Sequence, residues 1–146
     1  MKSLKNTIGS EQVFENSCPW ASNIGHLAII VDDLDKAKWY LESVLNAPYT
    51  IFRQTQLLAH IGSSIFVLKL SKDAVDHTRQ KGELGKQVLD HYGFCAQSKE
   101  MVDVFYNHIL QFSFEIVKAP YDREDGRSFY FRDPFGNLVE YLWYHF

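Results

Sequence analysis

An α+β fold made of two successive βαβββ modules is what this sequence predicts, and three observations carry the prediction. A short apolar run closing on paired aspartates leads into a stretch of helical periodicity and then into three short alternating segments. Beyond a polar connector the same order of strand, helix and three strands begins again, a duplication on the scale of a supersecondary unit. The length of 146 residues suits a single core without staples, and 46% hydrophobic with 15% aromatic residues favours sheet-rich packing over disorder.

Residues 1–22 are aperiodic and broken by Gly9, Ser10 and Cys18-Pro19, so they read as an N-terminal extension outside the core fold. Residues 23–146 form one domain: module one at 23–70, a connector at 71–88 and module two at 89–146. In module one, Asn23 to Val31 is an apolar strand followed by the helix-start chemistry of Asp32-Asp33. From Leu34 to Asn46, the residues Leu34, Ala37, Tyr40, Leu41, Val44 and Leu45 recur at three- and four-residue steps, which predicts an amphipathic helix capped by Asp33 and stopped by Asn46 and Pro48. Tyr49–Arg53, Gln56–Ile61 and Ser64–Leu70 read as strands, with Gly62-Ser63 a turn. The connector is polar, interrupted by Gly82 and Gly85, and has room for one helical turn.

Module two repeats the order. Leu89 to Ala96 is a strand, Ser98 to Gln111 a helix with Ser98 as its cap, and Phe114 to Lys118 a further strand. The closing stretch Gly126 to Phe146 is a hairpin of two aromatic-rich strands around Asp133-Pro134-Phe135-Gly136-Asn137, where Pro fixes φ and Gly and Asn tolerate positive φ.

The formal net charge of -3, with no stripe of Lys and Arg, argues against a nucleic-acid or anionic-membrane surface. Cys18 and Cys95 form no CxxC pair, as suits free thiols in a reducing compartment, and no apolar segment near the N-terminus reads as a signal or a span. The expectation is a cytoplasmic protein.

Two histidines stand at equivalent places in the duplicated frame, His26 on the first strand of module one and His91 on that of module two. Alternation puts His26 with Ala28 and Ile30 on one face, and His91 with Gly93 and Cys95, while bulkier residues take the opposite faces beneath the helices. The closing strand carries Glu140 among Leu138, Val139, Tyr141 and Leu142, and a carboxylate in such company needs a positive partner or solvent. If the sheets curve towards one another, His26, His91 and Glu140 can converge, and two imidazoles with one carboxylate make a divalent-metal site with open positions. A lone strand histidine is more often a packing residue, so the weight rests on the matched pair. His77 reads as solvated, His108 as a packing or surface residue, His145 as a group behind the ligands, and Cys95 as a small core residue.

Ile24-Gly25-His26-Leu27-Ala28-Ile29-Ile30-Val31-Asp32-Asp33-Leu34-Asp35-Lys36-Ala37, Leu89-Asp90-His91-Tyr92-Gly93-Phe94 and Gly126 to Glu140 with its Ser-Phe-Tyr-Phe-Arg-Asp-Pro core together resemble the vicinal oxygen chelate superfamily over residues 23–146. That superfamily includes glyoxalase I, extradiol dioxygenases, fosfomycin-resistance enzymes and bleomycin-binding proteins. The resemblance implies a cupped mixed β-sheet of paired βαβββ modules, often a homodimer. It also implies a divalent metal (Fe, Mn, Zn or Ni) on His26, His91 and Glu140, and a small-molecule substrate held to that metal through adjacent oxygens. Within the family, glyoxalase I is disfavoured because Phe66 stands where it has a further carboxylate. The fosfomycin hydrolases are disfavoured because Arg53-Gln54-Thr55-Gln56 holds no carboxylate, and their thiol-transferring relatives because the basic cluster that holds a phosphonate is not evident in Arg127 and Arg132 alone. The extradiol dioxygenases are closer, since Tyr130 precedes Glu140 by their ten-residue spacing and would hydrogen-bond a metal-bound oxygen; the alternative is that Tyr130 packs within Phe129-Tyr130-Phe131. Ser63 and Ser64 stand where they carry an acid/base histidine, with His60 a loose substitute. A dioxygenase-like activity is therefore the leading expectation. The alternatives are a non-redox lyase, isomerase or epoxide-opening enzyme on the same metal, or a non-catalytic small-molecule binder.

Overall fold

The computed structural model describes residues 24–70, 72 and 89–145. The N-terminal extension, Cys18, His77 and the connector's helical turn lie outside the described residues. Two compact units emerge, one of Asn23–Tyr92 with Arg132–Leu138 and one built on Gly93–Phe131 with the strand from Val139.

In the first unit, β1 (His26–Val31) is followed by α1 (Leu34–Trp39), β2 (Tyr49–Phe52), β3 (Gln56–Ile61) and β4 (Ser64–Leu70). The sheet order is β1-β4-β3-β2. β1 lies parallel to β4, with His26 opposite Ile65 and Val31 opposite Leu70, while β3 is antiparallel to both β4 and β2. The helix starts as expected: Asp33 Oδ1 accepts from the backbone N–H of Asp35 at 2.7 Å and Lys36 at 3.1 Å. It does not run to Asn46 as a regular α-helix. After Trp39 it widens into a π-helical turn, Tyr40–Val44, in which Leu45 N–H donates to Tyr40 O at 3.0 Å. The wider turn keeps Tyr40, Leu41 and Val44 all buried, and Asn46 ends the element at φ 48°. Ile29, Val31, Leu57, Ala59, Phe66 and Leu68 supply the rest of this core.

The second module, β5 (Tyr92–Cys95), α2 (Lys99–Ile109), β6 (Ile116–Arg123), β7 (Gly126–Arg132) and β8 (Leu138–Tyr144), has the sheet order β5-β8-β7-β6. This repeats the first sheet strand for strand, so the α+β duplication read from the sequence is present. Ser98 Oγ caps α2 by accepting from Met101 N–H. The helix lays Phe105 against Phe129, Phe131 and Tyr141, with ring centroids 4.3–6.3 Å apart. Phe129 and Phe131 are fully buried, and such burial stabilises by roughly 2–3 kcal/mol per ring.

Strand boundaries differ from expectation most in module two. β5 begins at Tyr92 rather than Leu89, so His91 sits at the strand's entry. β6 runs to Arg123 instead of stopping at Lys118. Pro120 reads as a breaker, but β6 is an edge strand and its register shifts between Ile116, Lys118 and Tyr121 absorb a residue that cannot donate. Among the described residues no helix is long and apolar enough to cross a membrane.

Candidate functional site

Two of the three expected ligands belong to the first unit. β1 presents His26, Ala28 and Ile30 as exposed residues while Ile29 and Val31 are buried, the alternation the sequence implies. His91 lies beside its neighbour Asp90, whose Oδ2 is 2.5 Å from His91 Nδ1. A carboxylate on Nδ1 selects the tautomer that leaves the Nε2 lone pair for a ligand, the arrangement common behind metal-bound imidazoles. Ser64 Oγ donates to Ile24 O at 3.2 Å, tying β4 to the entry of β1. His60 is exposed on β3 opposite Ile65.

A buried polar chain fixes the next residue along. Tyr92 OH donates to Asp133 Oδ2 at 2.8 Å and lies 3.3 Å from Tyr40 OH. Asp133, only 4% exposed, also accepts from the backbone N–H groups of Phe135 and Asn137 on Oδ1 and from Asn137 Nδ2 on Oδ2. The hairpin turn is therefore built on one carboxylate, and positive φ falls on Gly136 at 86° rather than on Asn137. Burial pushes the Tyr92 and Tyr40 phenols well above their ordinary range, so both remain neutral donors.

Glu140 belongs to the second unit. Phe129 and Phe131 turn towards α2, so period two sends Ser128 and Tyr130 to the other face of β7, with Glu140 beside them on β8. Glu140 is 5% exposed, and its positive partner is Arg123, whose Nη1 donates to Oε1 at 2.5 Å. Tyr130 OH donates to the same oxygen at 2.7 Å. Tyr130 therefore touches the carboxylate instead of packing among the phenylalanines. Burial first, and then the bond to Glu140, raise its phenol well above the usual range. Arg123 is itself gripped by Asp125, with Nε to Oδ1 at 2.8 Å and Nη2 to Oδ2 at 2.9 Å, and its guanidinium faces the Tyr144 ring at 6.0 Å.

The same face carries more cationic and hydroxyl groups. Lys118 stands opposite Tyr130 and Tyr121 opposite Ser128 in the β6–β7 register, with Lys118 Nζ 3.4 Å from the Tyr121 ring centre. Burial alone would raise the Tyr121 phenol, but the polar neighbours Ser128 and Tyr130 and the charges of Lys118 and Arg123 outweigh it, and the net displacement is downward. Ser128 Oγ is fully buried beside the Tyr121 phenol. Gly93 on β5 lets β8 approach closely here: a Cβ on it would lie 3.2 Å from both Glu140 O and Leu142 Cδ2.

Among the described residues no three His, Cys, Asp or Glu side chains, His26, His91 and Glu140 included, gather as a metal-binding group. The polar face around Glu140 went unseen in the sequence because Tyr121 and Arg123 lie beyond Lys118, where the expected strand stops; the acidic Glu140 was its visible signal. The remaining candidates resolve differently. Arg127 lies on the helix side, its Nε and Nη2 on Asp103 at 2.9 and 2.8 Å. Arg132 Nη1 donates to Gly136 O in the turn. His108 stacks on Phe105 and meets Phe112 edge-on, packing being one of its two expected roles. His145 Nε2 lies 2.8 Å from Glu124 O in the β6–β7 turn. Cys95 is exposed rather than a small core residue, because Tyr92 turns inward from β5 and Cys95 lies on the other face.

Comparison with known proteins accords with this architecture. Metallothiol transferase FosB from Shouchella clausii (strain KSM-K16) is 28% identical over 122 residues, 82% of this chain and 78% of that protein. The genomically encoded fosfomycin resistance protein FosX from Listeria monocytogenes is 25% identical at a TM-score of 0.63, over 84% of this chain and 93% of its own. A mutant of that Listeria protein was solved with Mn(II) and 1S,2S-dihydroxypropylphosphonic acid. Lactoylglutathione lyase from Agrobacterium tumefaciens shares the fold at a TM-score of 0.65 and 20% identity, over 84% of this chain and 94% of its own. The profile of the Glyoxalase/Bleomycin resistance protein/Dioxygenase superfamily matches residues 23–141, and this chain belongs to that superfamily.

Proposed function

We propose that this chain is a divalent-metal enzyme that adds a nucleophile to a small, anionic, oxygen-rich molecule without redox chemistry, with His26, His91 and Glu140 as metal ligands. The observation that carries the reading is the polar face around Glu140: a buried carboxylate joined to Arg123 and Tyr130 and flanked by Lys118, Tyr121 and Ser128. Lys118 and several hydroxyls beside a ligand position suit an anion that is also offered to a metal. The likeness to a metallothiol transferase and to a fosfomycin resistance protein supports the same class.

The donor set suits the metal. Two imidazoles and one carboxylate match first-row divalent ions, and Asp90 behind His91 is the carboxylate such a ligand ordinarily has. When bound, the metal supplies Lewis-acid polarisation of a substrate oxygen. The chain's own residues do the rest. Lys118 attracts and orients the anionic group, Tyr130 holds the Glu140 carboxylate in one orientation, and Asp90 fixes the His91 ring.

Dioxygenase-like chemistry is the second reading, favoured by the Tyr130–Glu140 bond across the spacing noted in the sequence. It lacks an acid/base histidine where Ser64 is tied to Ile24. Metal-stripped protein should regain activity with Mn(II), Zn(II) or Ni(II), and phosphorus NMR should report thiol or water addition to an epoxide-bearing phosphonate. Oxygen uptake on catechols with Fe(II) alone would favour the dioxygenase. Lys118→Met should raise KM for the anionic substrate about tenfold with little change in kcat. Equal metal binding by the parent and by Glu140→Gln would overturn the ligand assignment.

A further inference from the structure

Arg123 is an unusual neighbour for a metal ligand, because it brings a fixed positive charge to the carboxylate a cation would take. Its Nη1 lies 2.5 Å from Glu140 Oε1, and its other edge is held by Asp125 through two further bonds. A guanidinium cannot shed its proton, so this charge is permanent. Glu140 is 5% exposed, and an isolated buried carboxylate without a counter-charge is costly. We propose that Arg123 is a place-holding cation: in the metal-free protein it supplies the counter-charge of Glu140, and it competes electrostatically with the incoming metal, so that it sets the metal affinity of this site. The inference rests on the reading of Glu140 as a ligand.

The physics gives a sign. With the metal present, Arg123 and a divalent cation share one carboxylate, and their mutual repulsion weakens binding. With the metal absent, the ion pair stabilises the protein. Removing the guanidinium therefore loosens the apo protein and tightens the metal, while Tyr130 stays to hold the carboxylate in place. A residue that served only as a strut between β6 and β8 would cost stability equally in both states and leave metal affinity unmoved.

The test is calorimetric titration of EDTA-stripped protein with Mn(II), alongside thermal melts with and without the ion. Arg123→Gln should bind Mn(II) about tenfold or more tightly than the parent, melt lower when apo and recover most of the difference when loaded. Arg123→Lys, which keeps the charge, should stay close to the parent affinity. Arg123→Met, which keeps the aliphatic stem, replaces the glutamine variant if that fails to fold; folding of either only with Mn(II) present supports the proposal. Affinity equal to or weaker than the parent's overturns it, as does failure of both variants to fold with or without the ion. Glu140→Gln separates the two levels. If it binds Mn(II) as the parent does, the ligand assignment itself fails; if it loses Mn(II) while Arg123→Gln gains nothing, only the place-holding role fails.

Discussion

Glu140 shows how a single side chain can be satisfied in a way its neighbours in sequence do not announce. Leu138, Val139, Tyr141 and Leu142 surround it along β8, yet its partners come from β6 and β7 across the sheet. Gly126 is a residue-scale constraint of the opposite kind, a position where nothing fits. A Cβ there would lie 1.8 Å from Trp143 O, inside any tolerable contact, at the point where β7 leaves the β6–β7 turn and passes the end of β8. Gly126→Ala must therefore push the two strands apart, and we expect a loss of at least about 3 kcal/mol in urea unfolding. A variant within about 0.5 kcal/mol of the parent would mean that the strands yield at this point without penalty.

At the scale of elements, α2 is bolted to its sheet by Arg127, whose fork takes Asp103 on the helix while Nη1 reaches Asp122 on β6 at 3.1 Å. The Arg127 hydrogen bond holds the Asp103 carboxyl below its ordinary range, and Asp122 is lowered first by Lys99 and then by Arg127. Both carboxylates are depressed in the folded state, so their contribution is present above the unfolded Asp value of about 3.9 and is lost as pH falls through the folded values. Their side chains are 48% and 65% exposed, which makes the effect modest. Arg127→Met should melt below the parent at pH 7, with the two curves converging as the pH approaches about 2. A gap of the same size at both ends would assign the loss to packing of the arginine stem instead of its charge.

For the whole molecule, the element order was legible because alternation and helical periodicity are local properties, and Asp33, Ser98 and the Asp133–Asn137 turn punctuate them where the structure does. The exposed face of β1 that carries His26 was legible for the same reason, since strand parity assigns it. Arg123 was not, because Pro120 reads as a stop unless the strand is known to be an edge. The role of Asp90 was equally hidden, since a single-residue contact to His91 has no periodicity to betray it. The sheet order has a consequence for how damage maps onto the chain. In each module the final strand made is an inner strand, β4 between β1 and β3, and β8 between β5 and β7. A premature stop before Leu138 would remove only the last few residues in sequence but the centre of the second sheet in space, leaving β5 with no neighbouring strand. Residues 1–137 should accordingly lose the share of the thermal transition that belongs to the second sheet, and a melt with the parent's full enthalpy would contradict that expectation. Severity of truncation in such a chain follows position in the sheet, not the number of residues lost.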